Sequence, residues 1–220
     1  MVTAGEACDG VFTGGAATGL EALMGEKRFQ SVPKGGVAGL AESLIDDARV
    51  ATVEGTTDRV DLCHMTLPDR DRYAITLGMY LEAQYAAWPP RKSPSPSPAS
   101  PSPSVKPTRK QRERPSWYST VRFQIGQEKA IVTSFSSSIT FKCSSPRLSG
   151  SMSLPILVTG ELKNRYPRNL TDISKADSEA TLLVLHAATL AVAKELRCKD
   201  NGGLPEKATP FKRLPPPPES

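Results

Sequence analysis

Residues 174–196, SKADSEATLLVLHAATLAVAKEL, carry the strongest helical periodicity in the chain. Apolar side chains recur every three or four positions from Leu182 to Leu196. At the amino end, Ser174 and Asp177 have the spacing of a capping box, and basic residues follow at the carboxyl end, where they complement the helix dipole. This stretch predicts one long helix near the end of the chain.

Four stretches that precede this helix have the composition and alternation of β-strands. They are residues 116–125, 138–143 and 154–162, with 130–135 as a shorter candidate. Within 138–143, Ile139, Phe141 and Cys143 share one face of a strand. Strands followed by a long helix predict an α+β fold, namely a small antiparallel three-stranded sheet packed by the C-terminal helix.

This order of elements resembles the second part of a double-stranded-RNA-binding domain, particularly the divergent copies attached to DExH-type RNA helicases. In that family the helix opens with a Ser-Lys-Lys-x-Ala-Lys-like cluster whose lysines contact phosphates across the RNA major groove. Here Ser174 and Lys175 match, whereas Ala176 replaces the second lysine and Glu179 lies where a further basic residue would help. The resemblance implies RNA contact through Lys175, and its departures imply a degenerate copy that can serve protein contacts instead.

The middle of the chain, residues 89–107, reads PPRKSPSPSPASPSPSVKP. Proline has no amide donor and serine buries little apolar surface, so ordering this stretch would cost entropy without an apolar return. A basic run follows that predicts contacts with phosphates, the alternative being a merely solvated linker. Its members are Lys106, Arg109, Lys110, Arg112 and Arg114.

Charge is distributed unevenly along the 220 residues. Residues 1–90 carry a net −6 and residues 91–220 a net +11, which together give the chain its +5. A basic half favours polyanionic partners such as RNA, although scattered lysines and arginines can also serve solubility alone.

The first 40 residues are glycine-rich and predict a flexible segment. A helix is expected over 37–53 and a second over 68–88, where aromatic and leucine side chains recur at helical spacing until Pro89. The sequence therefore predicts a mainly helical N-terminal unit. The complete division is a flexible segment 1–40, a small helical unit 41–88, a disordered linker 89–115, an α+β domain 116–199 and a disordered tail 200–220.

The four cysteines are widely spaced and contain no C-x-x-C motif, so they do not resemble a zinc site. No secretory signal pattern precedes them, which predicts reduced thiols in the cytoplasm or nucleus, with a mature organellar form left open. The longest apolar run, 181–193, is too short to span a membrane, so no membrane partner is expected. The neighbours Cys63 and His64 do not predict a catalytic pair, and His186 is expected to be a core or interface histidine.

The C-terminal tail contains the spacing [KR]-x-x-P-x-x-P of one class of SH3 ligand. The residues that fit it are Lys212, Pro215 and Pro218. They predict a protein-binding segment, and an ordinary proline-rich tail is the alternative.

The sequence offers no phosphate loop, metal set or recognisable nucleophile, so neither an enzyme nor a cofactor is expected. It predicts a non-enzymatic RNA-associated protein that binds through the basic linker and a degenerate double-stranded-RNA-binding-like domain. The alternative is a structural or adaptor subunit of a larger assembly, which uses the α+β domain and the proline-rich segments for protein contacts. The sequence does not indicate an oligomeric state.

Overall fold

The structure, a computed structural model, describes residues 1–50, 57–68, 70–82, 120–149, 155–164, 173–208 and 211–215. Its strands are β1 Val2–Thr3, β2 Arg28–Pro33, β3 Val60–Leu67, β4 Arg70–Glu82, β5 Val121–Ile125, β6 Glu128–Val132, β7 Ser136–Cys143, β8 Ile156–Asn164 and β9 Lys212–Arg213. Its helices are α1 Gly15–Met24, α2 Gly36–Val50, α3 Pro146–Ser149 and α4 Lys175–Glu195, with 3₁₀ turns at Ala7–Gly10 and Lys199–Gly203.

All of these strands join in one antiparallel sheet. Their order is β1-β2-β3-β4-β8-β7-β6-β5-β9. The pairing of β4 with β8 joins strands from the two sides of residues 83–119, and Leu77 lies opposite Leu162 in this pair. The sheet is therefore continuous from the N-terminal to the C-terminal part of the described chain.

The fold-class prediction of a small three-stranded sheet, with a mainly helical N-terminal unit before it, is wrong. The stretch 68–88, expected as a helix, contains β4 instead. Its alternate residues Ile75, Leu77, Met79 and Leu81 are all buried, which is the period of a strand with one covered face. Pairing with β3 and β8 satisfies the backbone of β4 on both sides, and this outweighs the helical spacing of its aromatic residues.

Several elements predicted from the sequence are confirmed. The strands β5, β7 and β8 fall within or overlap the expected stretches, and α2 matches the helix expected over 37–53. The long helix α4 begins where expected, because the Ser174 side chain accepts a hydrogen bond from the Asp177 backbone amide at 3.0 Å. This cap satisfies one of the amides that a helix leaves without a partner at its amino end.

The helices α2 and α4 pack on one face of the sheet, and α1 packs on α4. Gly160 in β8 permits the close approach of α4, since a Cβ at this position would lie 3.1 Å from Thr189 Cγ2. By length and composition α4 could cross a membrane, but 67% of its most apolar window is buried inside the protein. Such burial is typical of the core helix of a folded domain.

Two disulfides link the helical layer and the loops to the sheet. Cys8, in the first 3₁₀ turn, is bonded to Cys63 in β3, and Cys143, at the end of β7, is bonded to Cys198 just after α4. Each closes a loop of 55 residues. The expectation of reduced thiols is therefore wrong, since all four cysteines are paired. Wide spacing concealed the pairs, because partners are brought together only by the sheet and by α4.

Candidate functional site

The face of the sheet opposite α2 and α4 is the strongest candidate for a binding surface, and we call it the open face. Alternation along each strand assigns residues to it: in β7, Ile139 and Phe141 are buried toward the helices, and Thr140 points the other way. Two cross-strand contacts agree with the register, Thr140 Oγ1 to Thr159 Oγ1 at 2.8 Å and His64 Nδ1 to Thr76 Oγ1 at 2.8 Å. The open face is thus lined mainly by polar side chains.

Four cations lie at the β9 end of the open face, and we call them the basic patch. They are Arg122, Lys129, Lys142 and Lys212. Gln124 is paired with Lys129 on one side and with Lys212 on the other, which puts these two lysines two strand spacings apart, roughly 10 Å. No carboxylate of the described residues lies within 4.0 Å of any of the four. The patch is therefore a local excess of positive charge.

Glu128 is the carboxylate nearest to the basic patch in the sequence, and it alternates to the other side of β6. Burial raises the pKa of the Glu128 carboxyl, and the charge of Lys142 and a hydrogen bond from its backbone oppose that rise. Glu128 therefore offsets part of the charge of Lys142, although the two charged groups lie beyond ion-pair distance.

A hydroxyl and carboxylate cluster occupies the centre of the open face. Thr159 is 1% exposed, bonds to Thr140 and donates to Glu82 Oε1 at 2.8 Å. Burial, followed by the negative charges of Glu82 and Glu161, raises the pKa of the Tyr80 phenol. Tyr80 therefore remains protonated and serves as a hydrogen-bond donor at neutral pH.

An ion-pair network flanks this cluster on β3 and β8. Arg59 pairs with Asp61 and, through Nε at 3.1 Å, with Glu161, which also pairs with Lys163 at 3.3 Å. The guanidinium lies over Gly78, where a Cβ would be 2.8 Å from Arg59 Cζ and 2.7 Å from the Val60 carbonyl oxygen. Glycine is thus needed at this position of β4 for the arginine to cross the strand.

The open face offers hydrogen-bond donors, acceptors and paired charges, which suit recognition of another molecule. Within the described ranges no group of three or more histidine, cysteine or acidic side chains is arranged to hold a metal ion. Cys63 is bonded to Cys8, so its sulfur cannot act as a nucleophile beside His64 while that bond is intact.

The sequence-predicted site residues fall in separate places. Lys175 starts α4 with an 87% exposed side chain, 3.7 Å from Glu179. Lys212 lies in β9 and belongs to the basic patch, and Pro215 is exposed just after that strand. The remaining residues lie outside the described ranges. They are Lys106, Arg109, Lys110, Arg112, Arg114 and Pro218.

Three members of the basic patch were missed by sequence reasoning. Arg122, Lys129 and Lys142 each alternate with buried residues of their strands, so the sequence marks them as facing away from the core. It does not show that β9 returns from the C-terminal tail to pair with β5, and this pairing brings Lys212 to the same surface.

The expectation that His186 is a satisfied core histidine is confirmed. It is 3% exposed, and its Nε2 lies 3.0 Å from the carbonyl oxygen of Pro205. Burial lowers the pKa of the His186 imidazole, while the Pro205 carbonyl and the charge of Glu206 oppose this shift. The neutral ring donates from Nε2 and links α4 to the segment that follows the second 3₁₀ turn.

This burial predicts a pH-dependent stability. Below about pH 6.5 the unfolded histidine binds a proton that folded His186 resists, so the free energy of unfolding should fall as the pH is lowered from 6.5 toward 5. Urea unfolding at several pH values measures the slope. His186→Gln should flatten it. A native slope in His186→Gln would contradict the assignment.

The chain matches no protein-family model, and neither the curated proteins nor the solved structures contain a match to it. The geometry of the open face is therefore the basis on which a function is inferred.

Proposed function

We propose that this protein is a non-enzymatic binding module that works in an oxidising compartment and docks an acidic protein partner on its open face. The basic patch carries the proposal. Four cations without carboxylate partners in the described chain lie beside a cluster of hydroxyl groups, and such a surface complements a partner that presents carboxylates and backbone carbonyls.

The two disulfides support a protein partner in an oxidising compartment. Structural disulfides form and persist in secreted, periplasmic or lumenal proteins and are rare in the cytosol and nucleus. We therefore propose an oxidising compartment in place of the intracellular one that the sequence predicted. It also favours proteins over cellular RNA as the molecules that the open face meets.

The chemistry of the described side chains supports binding rather than catalysis. The Tyr80 phenol is held protonated, His186 is buried against a carbonyl, and the sulfur of Cys63 is in a disulfide. An activated nucleophile or general base needs a side chain whose pKa is tuned toward its task and which can reach a substrate. The pKa shifts of Tyr80 and His186 both favour the neutral side chain.

Association with RNA is the second candidate. The basic patch favours it, because Arg122 lies in β5, the first described strand after the basic run 106–114 in sequence. Phosphate contacts by these residues would make binding strongly dependent on salt. Lys175, on α4, would contribute only if RNA also reached the helical layer.

The full chain should bind a 20-residue poly-glutamate peptide at low salt, and a patch variant should lose this binding. The patch variant carries Arg122→Gln, Lys129→Gln, Lys142→Gln and Lys212→Gln. We expect its affinity to fall by at least about tenfold, since each close charge contact at a rim contributes up to about 1 kcal/mol. Isothermal titration at two salt concentrations, with a 20-base-pair RNA as the second probe, measures this.

The matched control removes the same charge elsewhere, through Lys27→Gln, Lys34→Gln, Lys175→Gln and Lys199→Gln. It should bind the peptide nearly as well as the native chain. Binding of RNA in preference to the peptide would favour the second candidate. If the two quadruple variants lose the same affinity, only net charge matters and the basic patch is not the docking surface.

A further inference from the structure

A cleft of about 470 Å³ lies on the helical side of the sheet, away from the open face. It forms where α4, the start of α1 and residues 206–208 meet. Its volume is within the range of small-molecule sites in proteins, roughly 300–1,000 Å³.

One wall of the cleft is an apolar stripe of α4. Leu183, Ala187, Leu190 and Ala191 follow one another at helical spacing, and Val11 and Ala16 also line the cleft. The two alanines of α4 are only partly buried although they belong to the protein's core helix. A wall of this kind favours an apolar ligand body that is long and narrow, such as an alkyl chain.

The mouth of the cleft has an excess of positive charge. Glu206 is already neutralised, because Lys194 Nζ donates to it at 2.6 Å and Asn201 Nδ2 at 2.8 Å. These two hydrogen bonds, that of Lys194 first, lower the pKa of the Glu206 carboxyl. Lys207 also lines the cleft, is exposed, and has no carboxylate of the described chain within 4.0 Å. One cation therefore remains for a ligand.

We propose that this cleft binds a small amphiphilic carboxylate, with the carboxylate beside Lys207 and an alkyl chain along the apolar stripe of α4. The charge at the mouth favours an anion, and the stripe adds affinity for a ligand that has an apolar body. The amino end of α1, which begins at Gly15 without a side-chain cap, adds a favourable dipole on the same side of the cleft.

Octanoate is the probe that tests this proposal. Acetate, which carries only the charge, and 1-octanol, which carries only the apolar chain, are the controls. We expect one octanoate to bind per chain in isothermal titration. 1-Octanol, which lacks the charge, and acetate, which lacks the apolar body, should each bind at least about tenfold more weakly. Equal behaviour of the three probes, or no binding of octanoate at about 1 mM, would overturn the proposal.

Gly15→Leu supplies a plugging variant without backbone strain. A Cβ at Gly15 would lie 3.8 Å from Leu183 Cδ2, and no other side chain or backbone group lies closer. The leucine should weaken octanoate by about tenfold, the equivalent of two methylene groups that are no longer buried. Gly39→Leu in α2, where a Cβ meets nothing within 4 Å, is the matched control and should bind octanoate as the native chain does.

Lys207→Gln keeps the test decisive if the plugging variant folds poorly, because this side chain is exposed. It should weaken octanoate about fivefold, the scale of one partly exposed charge interaction, while Lys199→Gln leaves it unchanged. Native affinity in both Gly15→Leu and Lys207→Gln would show that octanoate binds elsewhere. The patch variant of the open face should bind octanoate normally, which separates the failure of this proposal from that of the proposed function.

Discussion

Replacement of Cys143 and Cys198 together by alanine should lower the free energy of unfolding by about 4 kcal/mol. The disulfide closes a loop of 55 residues and thereby removes much of the conformational freedom of the unfolded chain. Both cysteines are buried, so alanine avoids the additional cost of a buried hydroxyl group. Urea unfolding followed by circular dichroism measures the loss, and the native chain unfolded with a reductant should show the combined effect of both bonds.

The pair Cys8 and Cys63 is the matched control within the same protein. Its loop also has 55 residues, so the chain-entropy model predicts the same loss for the alanine pair at these positions. A difference between the two double variants therefore measures the native environment of each bond. A loss below about 1 kcal/mol in both would contradict a structural role for the disulfides. Four free thiols in the unreduced native protein would contradict the bonds themselves.

Gly202→Ala should destabilise the protein by about 3 kcal/mol, the second large effect that we expect. Gly202 is buried with φ +68°, and a Cβ there would overlap the ring of Phe141 and approach the Lys142 carbonyl oxygen to 2.8 Å. Phe141 is fully buried, so its ring has little room to move. Thermal and urea unfolding of the variant measure the cost.

Gly203→Ala separates the steric cost from the cost of the backbone conformation. Gly203 has φ +80°, but its nearest neighbour is Glu128 Oε1 at 3.1 Å, which belongs to a flexible side chain. We expect a loss of only about 1 kcal/mol, mainly from the left-handed backbone. Equal losses of stability at both positions would mean that contact of residue 202 with Phe141 adds no steric cost.

The C-terminal strands and α4 could be predicted because their signals are local. Alternation in β7 and the capping residues of α4 describe each element without knowledge of its neighbours. The strand β4 could not be chosen over a helix, since its leucines and aromatic residues fit both periods. Only pairing with β8 distinguishes a strand from a helix here. This pairing joins residues that are far apart in sequence, since Glu82 and Thr159, which are in contact, are 77 positions apart.

The glycine-rich start of the chain shows how composition can mislead. The density of glycine predicted a flexible segment, yet the structure has α1 and two strands in residues 1–34. Gly14, Gly25 and Gly35 have positive φ and lie in the turns next to these elements. Glycine there permits tight connections, and the elements are stabilised by packing on the core rather than by their own propensity.

Only part of the candidate site could be predicted from the sequence, because its residues come from several strands. A charge patch on a sheet requires the register of several strands, and here Lys212 joins Lys129 through β9 and β5. The sequence identified Lys212 as part of a proline-rich SH3-ligand spacing and not as part of a charged surface. The cysteine pairs likewise require the fold, since four cysteines allow three pairings.

The position of the disulfides relative to the β4 and β8 pair has a consequence for how the chain folds. Each disulfide joins two cysteines on the same side of residues 83–119, whereas the β4 and β8 pair joins the two sides without a covalent bond. Contacts that are distant in sequence form slowly, because chain entropy is lost before they are gained. Both halves can therefore close their own covalent loops independently, and we expect the meeting of β4 with β8, which no disulfide guides, to be a slow step of folding.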